Sequence, residues 1–411
     1  MSYTPLNESS VAAFLATVPV IAARLGGSAN LWDVREVGEG NLNLVFLVTG
    51  PDGGVAAKQA LPYVRLVGES WPLPLSRNYY ERLALADEAV HAPDRVPAIL
   101  HYDDGMALTV MDLLRPHRTL RGALVEGKRY PLLATHLAQF LADTLFFTSD
   151  IAVPVVEKKA RIAAYLGNTA MCRISEDLIF DEPFFDAPMN HHTPALADIV
   201  AAFRCDVPLR LAAQTMKARF LAAPEALLHG DLHTGSVMVT TDDTKVIDPE
   251  FAFYGPIGFD VGMLLANLWM AWLAEAGQRP AAPADPWLLE QAEAVWTGFA
   301  GRFADHWRGL APDADHGALH ALAKADTALR EAAIAERLAA IWHDALGFAG
   351  CEIIRRILGL AHVADFESIA DEGARADCER RALLLGRSLL VDRHAYSDIT
   401  AVSMRLERVS A

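Results

Sequence analysis

The chain is 411 residues long and has a mass of 44.7 kDa, more than one ordinary hydrophobic core holds, which implies two or three domains. Its 52% hydrophobic and 21% charged residues exclude a disordered chain. Lysine and arginine number 36 against 52 acidic residues, and the formal charge of −16 excludes the broad basic footprint of a nucleic-acid binder, while a few local cations and backbone amides would still hold a phosphate.

The first ~30 residues read as helix, with Asn7, Ser9 and Ser10 as capping candidates ahead of an apolar run. The period then becomes that of strands at residues 34–37, 44–48 and 55–60, separated by the turns Gly38-Glu39-Gly40-Asn41 and Pro51-Asp52-Gly53-Gly54. A helix is expected around residues 79–89 and two more strands at 96–102 and 106–111. Residues 1–115 thus read as a nucleotide-binding small lobe of five antiparallel strands, with a helix inserted after the third. From Tyr130 the alanine- and leucine-rich text is helical, broken by one hairpin at residues 236–247, so residues 116–411 read as a second, mainly helical lobe. The expected fold class is α+β, bilobal. The most apolar stretch, residues 261–273, is 13 residues long where a membrane-crossing helix needs about 20. It reads as a buried core helix, and no membrane span is expected. The N-terminus lacks the basic flank of a signal peptide. Cys172, Cys205, Cys351 and Cys378 form no Cys-x-x-Cys pair, which speaks against structural zinc and fits a reducing, cytoplasmic setting.

Three features of the small lobe bear on chemistry. Gly38-x-Gly40 between two strands lets backbone approach a ligand without Cβ interference, although a plain hairpin turn uses the same residues. It has neither the following helix of a dinucleotide fingerprint nor the Gly-Lys-Ser/Thr of a P-loop. Lys58, within an otherwise apolar strand, is either a solvated edge residue or a phosphate clamp, and Glu81 in the next helix is its candidate partner. Glycine turn, strand lysine and helix glutamate follow the order of a protein-kinase-like small lobe.

The strongest segment is His229-Gly230-Asp231, followed 17 positions later by Asp248-Pro249-Glu250. A hairpin between them returns the second aspartate near the first. Phosphoryl transfer needs one carboxylate to orient and deprotonate the acceptor hydroxyl, a role that fits Asp231. It needs others to hold Mg²⁺ against the nucleotide phosphates, a role that fits Asp248 and Glu250. A zinc site from His229, His233 and Asp231 is the metal alternative, but its oxygen-rich neighbours suit magnesium better.

These residues resemble the aminoglycoside-phosphotransferase and choline-kinase branch of the protein-kinase-like fold. Several strings resemble its methylthioribose kinase family in particular. They are Gly38 to Phe46, Lys58 to Arg65 running on to Gly68-Glu69-Ser70-Trp71-Pro72, His229 to Ser236, and Asp248 to Pro256. The resemblance runs from about Leu31 to Arg355-Arg356. Ser236 stands where most of the wider superfamily has asparagine, and with Asp248-Pro249-Glu250 it matches the narrower family. The resemblance implies ATP-dependent phosphorylation of the 1-hydroxyl of 5-methylthioribose, a methionine-salvage step, in a homodimer with Mg²⁺ as cofactor. It implies that Asn41 and Lys58 touch nucleotide phosphates, that Asp112, Leu113 and Leu114 form an adenine-facing hinge, and that Trp71 lies on a loop over the site. It also implies that Arg355 and Arg356 bind the sugar or neutralise the transferring phosphoryl group. Adjacent positions of the expected helix at 352–360 do not share a face, so at most one of the two is expected to reach substrate. A kinase of another small alcohol or sugar, of choline, homoserine or aminoglycoside type, is the alternative activity. An inactive scaffold would usually have lost the lysine or one of the two aspartates, and all three are present.

Overall fold

The computed structural model describes residues 3–38, 42–65, 68–282, 285–311, 317, 322 and 326–410. Of the expected site residues, Gly40 and Asn41 lie outside the described residues.

The expected N-terminal helix is two helices. Asn7 opens α1 (Glu8–Ala16) through a reciprocal cap, its side chain accepting from the Ser9 and Ser10 N–H groups at 3.1 and 2.9 Å while Ser10 Oγ accepts from Asn7 N–H at 2.8 Å. Pro19 lacks the N–H needed to continue α1 and instead begins α2 (Pro19–Leu25), bent 110° from it.

The strands follow as β1 (Asp33–Glu36), β2 (Asn43–Thr49) and β3 (Gly54–Ala60), then a short hairpin of β4 (Tyr63–Val64) and β5 (Gly68–Pro72). Helix α3 (Arg77–His91) precedes β6 (Ile99–Asp103) and β7 (Leu108–Asp112). The sheet is antiparallel throughout, in the order β1-β2-β3-β7-β6, so β3 is central. Its alternation decides what each face does. Phe46, Val48, Val55, Ala57, Leu108 and Val110 pack with Val11, Leu15, Ile21 and Leu25 on one side. Lys58, one residue out of phase, points to the other side, toward α3.

The larger lobe begins with β8 (Arg118–Thr119), α4 (Leu120–Val125), α5 (Leu133–Phe147), α6 (Val155–Tyr165), α7 (Thr169–Ser175), α8 (Ala197–Cys205) and α9 (Val207–Ala222). Next come β9 (Ala226–Leu228), β10 (Val237–Val239), β11 (Thr244–Val246) and β12 (Phe253–Gly255). It ends with α10 (Gly258–Gln278), α11 (Trp287–Arg308), α12 (Thr327–Leu358), α13 (Ala364–Glu367), α14 (Glu372–Val391) and α15 (Ile399–Ser410). The expected hairpin is β10–β11, in the register Val237↔Val246. Two pairings went unforeseen, β8 onto β10 and β9 onto β12, because runs of two or three residues show no period. The expected helix at 352–360 is the last part of the 32-residue α12 and stops at Leu358.

Helix α10 is buried on every side from Gly258 to Ala274, as a sequence apolar all round except for Asp260 and Asn267 requires. No single described helix is long and apolar enough to cross a membrane. Gly262 lets α10 lie directly on α12, since a Cβ there would meet the Ala345 carbonyl oxygen at 2.3 Å. The architecture is the expected α+β, bilobal one, a small antiparallel sheet lobe and a larger helical lobe.

Candidate active site

Lys58 is no solvated edge residue. It sits in the central strand opposite Val45 and Thr109, 6% exposed, and its Nζ donates to Glu81 Oε1 at 2.7 Å and to Asp248 Oδ1. Burial works against its charge, but the carboxylates of Asp248, Glu81 and Glu250 outweigh this and hold its pKa above the ordinary lysine value. Glu81 is buried on α3, and burial pushes its carboxyl up to about 7 although Lys58 pulls the other way.

Asp248 has a φ of 72°, a left-handed backbone conformation uncommon for a residue with a side chain and typical of functional turns. Its side chain is 43% exposed, the most open of the acidic group. Pro249 and Glu250 are buried behind it. Glu250 Oε2 accepts from Asn43 Nδ2 at 3.0 Å and from Arg77 Nε at 3.3 Å. Arg77 itself is fully buried and also donates to the Leu42 and Leu61 carbonyls. Burial raises the Glu250 carboxyl, with Lys58 opposing. Donor oxygens of Glu81, Asp248 and Glu250 lie within 4.8 Å of one another, a hard-oxygen set that fits Mg²⁺, with Asp248 the accessible member.

Asp231 follows Gly230, whose φ of 84° favours glycine and where a Cβ would stand only 2.3 Å from the Phe251 carbonyl oxygen. The turn is held from below by Asp260, whose two carboxylate oxygens accept from His229 N–H at 2.7 Å and Gly230 N–H at 3.1 Å. His229 Nε2 donates to the Ile247 carbonyl at 2.9 Å, and its Nδ1 accepts from Asp231 N–H at 3.3 Å. Burial lowers the His229 pKa, in keeping with that neutral form. His233 Nδ1 accepts from the Gly235 and Ser236 N–H groups at 3.0 and 3.1 Å, leaving Nε2 facing Asp231 Oδ2 at 3.5 Å. Burial, then Arg121 and Arg356, hold the His233 pKa well below its usual value. Ser236 Oγ donates to the Asp231 carbonyl at 3.1 Å.

Both arginines at the end of α12 reach the same carboxylate oxygen. Arg355 Nη2 lies 3.3 Å and Arg356 Nη2 3.6 Å from Asp231 Oδ1. The expectation that adjacent helix positions diverge fails because long side chains can bend back, and Glu352 makes them do so. Its Oε2 accepts from Arg355 Nε and its Oε1 from Arg356 Nε, the latter at 2.8 Å. Glu352 is fully buried, which alone would raise its pKa, yet Arg355 and Arg356 bring it down to about 2. Asn267 Nδ2 donates to Glu352 at 3.0 Å, while Asn267 Oδ1 accepts from Arg121 Nη2 at 2.8 Å. Arg121 further contacts Thr234 Oγ1 and Asp365 Oδ2, each at 3.2 Å.

The remaining expected residues lie as follows. Among the described residues no atom lies within 4 Å of where a Cβ of Gly38 would stand, so none of them demands glycine there. Asp112 ends β7 with its carboxylate on Arg24 at 2.6 Å, and Leu113 and Leu114 follow it half-buried. Trp71 is half-buried on β5, a strand rather than a loop. Sequence reasoning missed Asn43, Arg77, Arg121, Asp260, Asn267, Glu352 and Asp365. Each is polar and sits in ordinary helix or strand text, and the only hint is Asp260 and Asn267 standing within the apolar run of α10.

The site therefore has a buried lysine against three clustered carboxylates and, joined to that group through His229, a further carboxylate beside a neutral histidine and two arginines. That arrangement suits transfer of a phosphoryl group to a hydroxyl. A model of the phosphotransferase enzyme family matches residues 33–294. Methylthioribose kinase 1 of Oryza sativa subsp. japonica is 41% identical over 98% of this chain and 95% of its own length. The methylthioribose kinase of Geobacillus kaustophilus (strain HTA426) is 43% identical over 96% of this chain and 94% of its own. That of Escherichia coli O45:K1 (strain S88 / ExPEC) is 40% identical over 97% and 96%.

Proposed function

Since the chain belongs to the phosphotransferase enzyme family, and within it to the methylthioribose kinases, we propose that it transfers a phosphoryl group from ATP to the 1-hydroxyl of 5-methylthioribose. The products are 5-methylthioribose 1-phosphate and ADP, and the step serves methionine salvage. The observation that carries this reading is the match at about 40% identity along nearly the whole chain of relatives that bear this activity in their names.

In this reading Asp231 accepts the proton of the 1-hydroxyl as the oxygen attacks the terminal phosphorus of ATP. His233 and the two arginines hold its carboxylate in place, and the arginines offset charge that develops on the phosphoryl oxygens. Lys58, fixed by Glu81, contacts the nucleotide phosphates. Asp248, with Glu250 behind it, would hold Mg²⁺, which when bound neutralises phosphate charge. Gly38, Gly40 and Asn41 would border the phosphates, Asp112 to Leu114 the adenine, and Trp71 the sugar. We also take the lobe division to fall near residue 115, the chain to act as a homodimer, and its setting to be cytoplasmic.

The test is ATP consumption by the purified protein with Mg²⁺ across 5-methylthioribose, ribose, choline, homoserine and an aminoglycoside. Turnover of methylthioribose far above ribose is expected, because an unfilled apolar pocket forfeits about 0.8 kcal/mol per CH₂. Equal turnover of the two sugars, or preference for another alcohol, refutes the substrate assignment.

A further inference from the structure

The corner between α8 and α9 borders an open cavity of about 620 Å³ that shares no residue with the Lys58 and Asp231 clusters. Its lining joins Phe184, Phe185 and Val200 to two arginines, Arg204 in the last turn of α8 and Arg210 in the first turn of α9. The guanidinium of Arg204 donates to no acceptor among the described residues, and its Nη1 is shut off from solvent. Arg210 donates to the Arg204 carbonyl at 3.3 Å and lies 4.5 Å over the Phe185 ring, but its Nε is likewise buried and unpaired. No ion pair joins either guanidinium to a carboxylate among the described residues, although Asp186 is in the lining. Burial lowers the Arg204 pKa, Asp186 counters this, and Arg210 adds to it, so the two cations are close enough to repel. His192, also in the lining, has its pKa lowered by burial and then by Arg204, which leaves a neutral ring able to donate one N–H.

Arginines held together at a partly buried corner, with shielded donors left over, are costly unless something accepts from them. In a chain of net charge −16 carboxylates are plentiful, and the arginines near Asp231 are tied to one. Here no carboxylate of the described residues takes that part, and the guanidinium nitrogens other than Arg204 Nη1 and Arg210 Nε are free to meet an acceptor from outside, whose carboxylate or phosphate oxygens a guanidinium fork matches. The aromatic and aliphatic walls leave room for an apolar part beside the charged one.

We propose that this cavity binds a small oxyanion, a carboxylate or phosphate group bearing a short apolar substituent, with the anionic group on Arg204, Arg210 and His192 and the apolar part against Phe184 and Val200. The site is separate from the proposed kinase chemistry and does not depend on it.

The test is calorimetric titration of the full chain with inorganic phosphate and, separately, with butyrate, at constant ionic strength in chloride. A non-hydrolysable ATP analogue and Mg²⁺ are kept saturating so that phosphate at the nucleotide site does not register. Saturable binding of at least one probe is expected, weakened at least tenfold in Arg204→Gln/Arg210→Gln. Ala201→Glu, at an exposed lining position of α8, carries its own carboxylate into the cavity and should weaken the binding equally while leaving ATP turnover within twofold. Butyrate alone would mark the site as a carboxylate pocket, and phosphate alone as a phosphoryl pocket. No saturable binding of either probe, or equal binding in all three proteins, overturns the proposal.

Discussion

Asp231 and Asp248 carry the same functional group, and their neighbours make them different. Asp231 faces His233 and two guanidiniums, whereas Asp248 faces Lys58 and the oxygens of Glu81 and Glu250. Asp231→Asn keeps size and hydrogen bonding but removes the proton acceptor, so turnover should fall by about 10²–10⁴-fold while Mg²⁺-dependent binding of an ATP analogue persists. Asp248→Asn should instead weaken that binding, because a charged hard ligand is gone. Analogue titrations with and without Mg²⁺, beside turnover, read both; the opposite pattern would reverse the two assignments. Lys58→Ala should raise the KM for ATP at least tenfold and also lower the melting temperature, since Glu81 loses its buried partner. Breaking a buried pair costs about 3–5 kcal/mol. Glu81, already raised to about 7, can take up a proton instead, which places the loss at the low end of that range. An unchanged melting curve with unchanged ATP kinetics would contradict both statements.

Two elements bring the proposed catalytic residues together, the turn before β10 and the end of α12. Gly230→Ala forces a side chain into a left-handed conformation and into the Phe251 carbonyl, so about 1–3 kcal/mol of stability and most of the turnover should be lost. A variant with wild-type melting and activity would show that the turn relaxes freely. On α12, Glu352 sets the arginine pair. A carboxyl with a folded pKa of about 2 stabilises fully above its unfolded value of 4.5, and that contribution drains away as pH falls from 4.5 toward 2. Glu352→Gln should therefore melt below the wild type at neutral pH, with the gap narrowing steadily below pH 4.5. A gap that stays constant with pH would mean that the Glu352 charge contributes nothing. The same variant turns one of the two acceptor oxygens into an NH2 donor, so one Nε loses its acceptor and the acceptor KM should also rise as Arg355 and Arg356 lose their common aim.

At the scale of the molecule, the site is a seam between lobes. Lys58 on β3 meets Asp248, and Asn43 on β2 and Arg77 on α3 both hold Glu250. These ties cross between residues 173 to 207 positions apart, so the residues proposed to handle the nucleotide also join the two lobes. A homodimer, the assembly proposed above, should scatter light as twice 44.7 kDa at micromolar concentration; a 44.7 kDa species at all concentrations would exclude it. The parts legible in the sequence are those whose cause is local. The β2 and β3 alternation, the turns between strands and the helix after them follow from short-range period and turn chemistry, and they already place Lys58 on the third strand and Glu81 on the following helix. The spacing of Asp231 and Asp248 across a hairpin is likewise local, and so is the apolar identity of α10. What surrounds those residues is not. Arg77, Glu352 and Arg121 look like solvated charges in helical text, and nothing in their neighbours' periodicity says that helix packing buries them. The pairing of β9 with β12, the Asp260 clamp on His229 and Gly230, and the convergence of Arg355 and Arg356 on one oxygen all depend on contacts between distant segments. The sequence alone determined the fold class and named the candidate reacting groups, because strand period, turn residues and motif spacing act within a few residues. Only the tertiary structure decided how those groups are held, because the cost of a buried charge exists only once the lobes have packed around it.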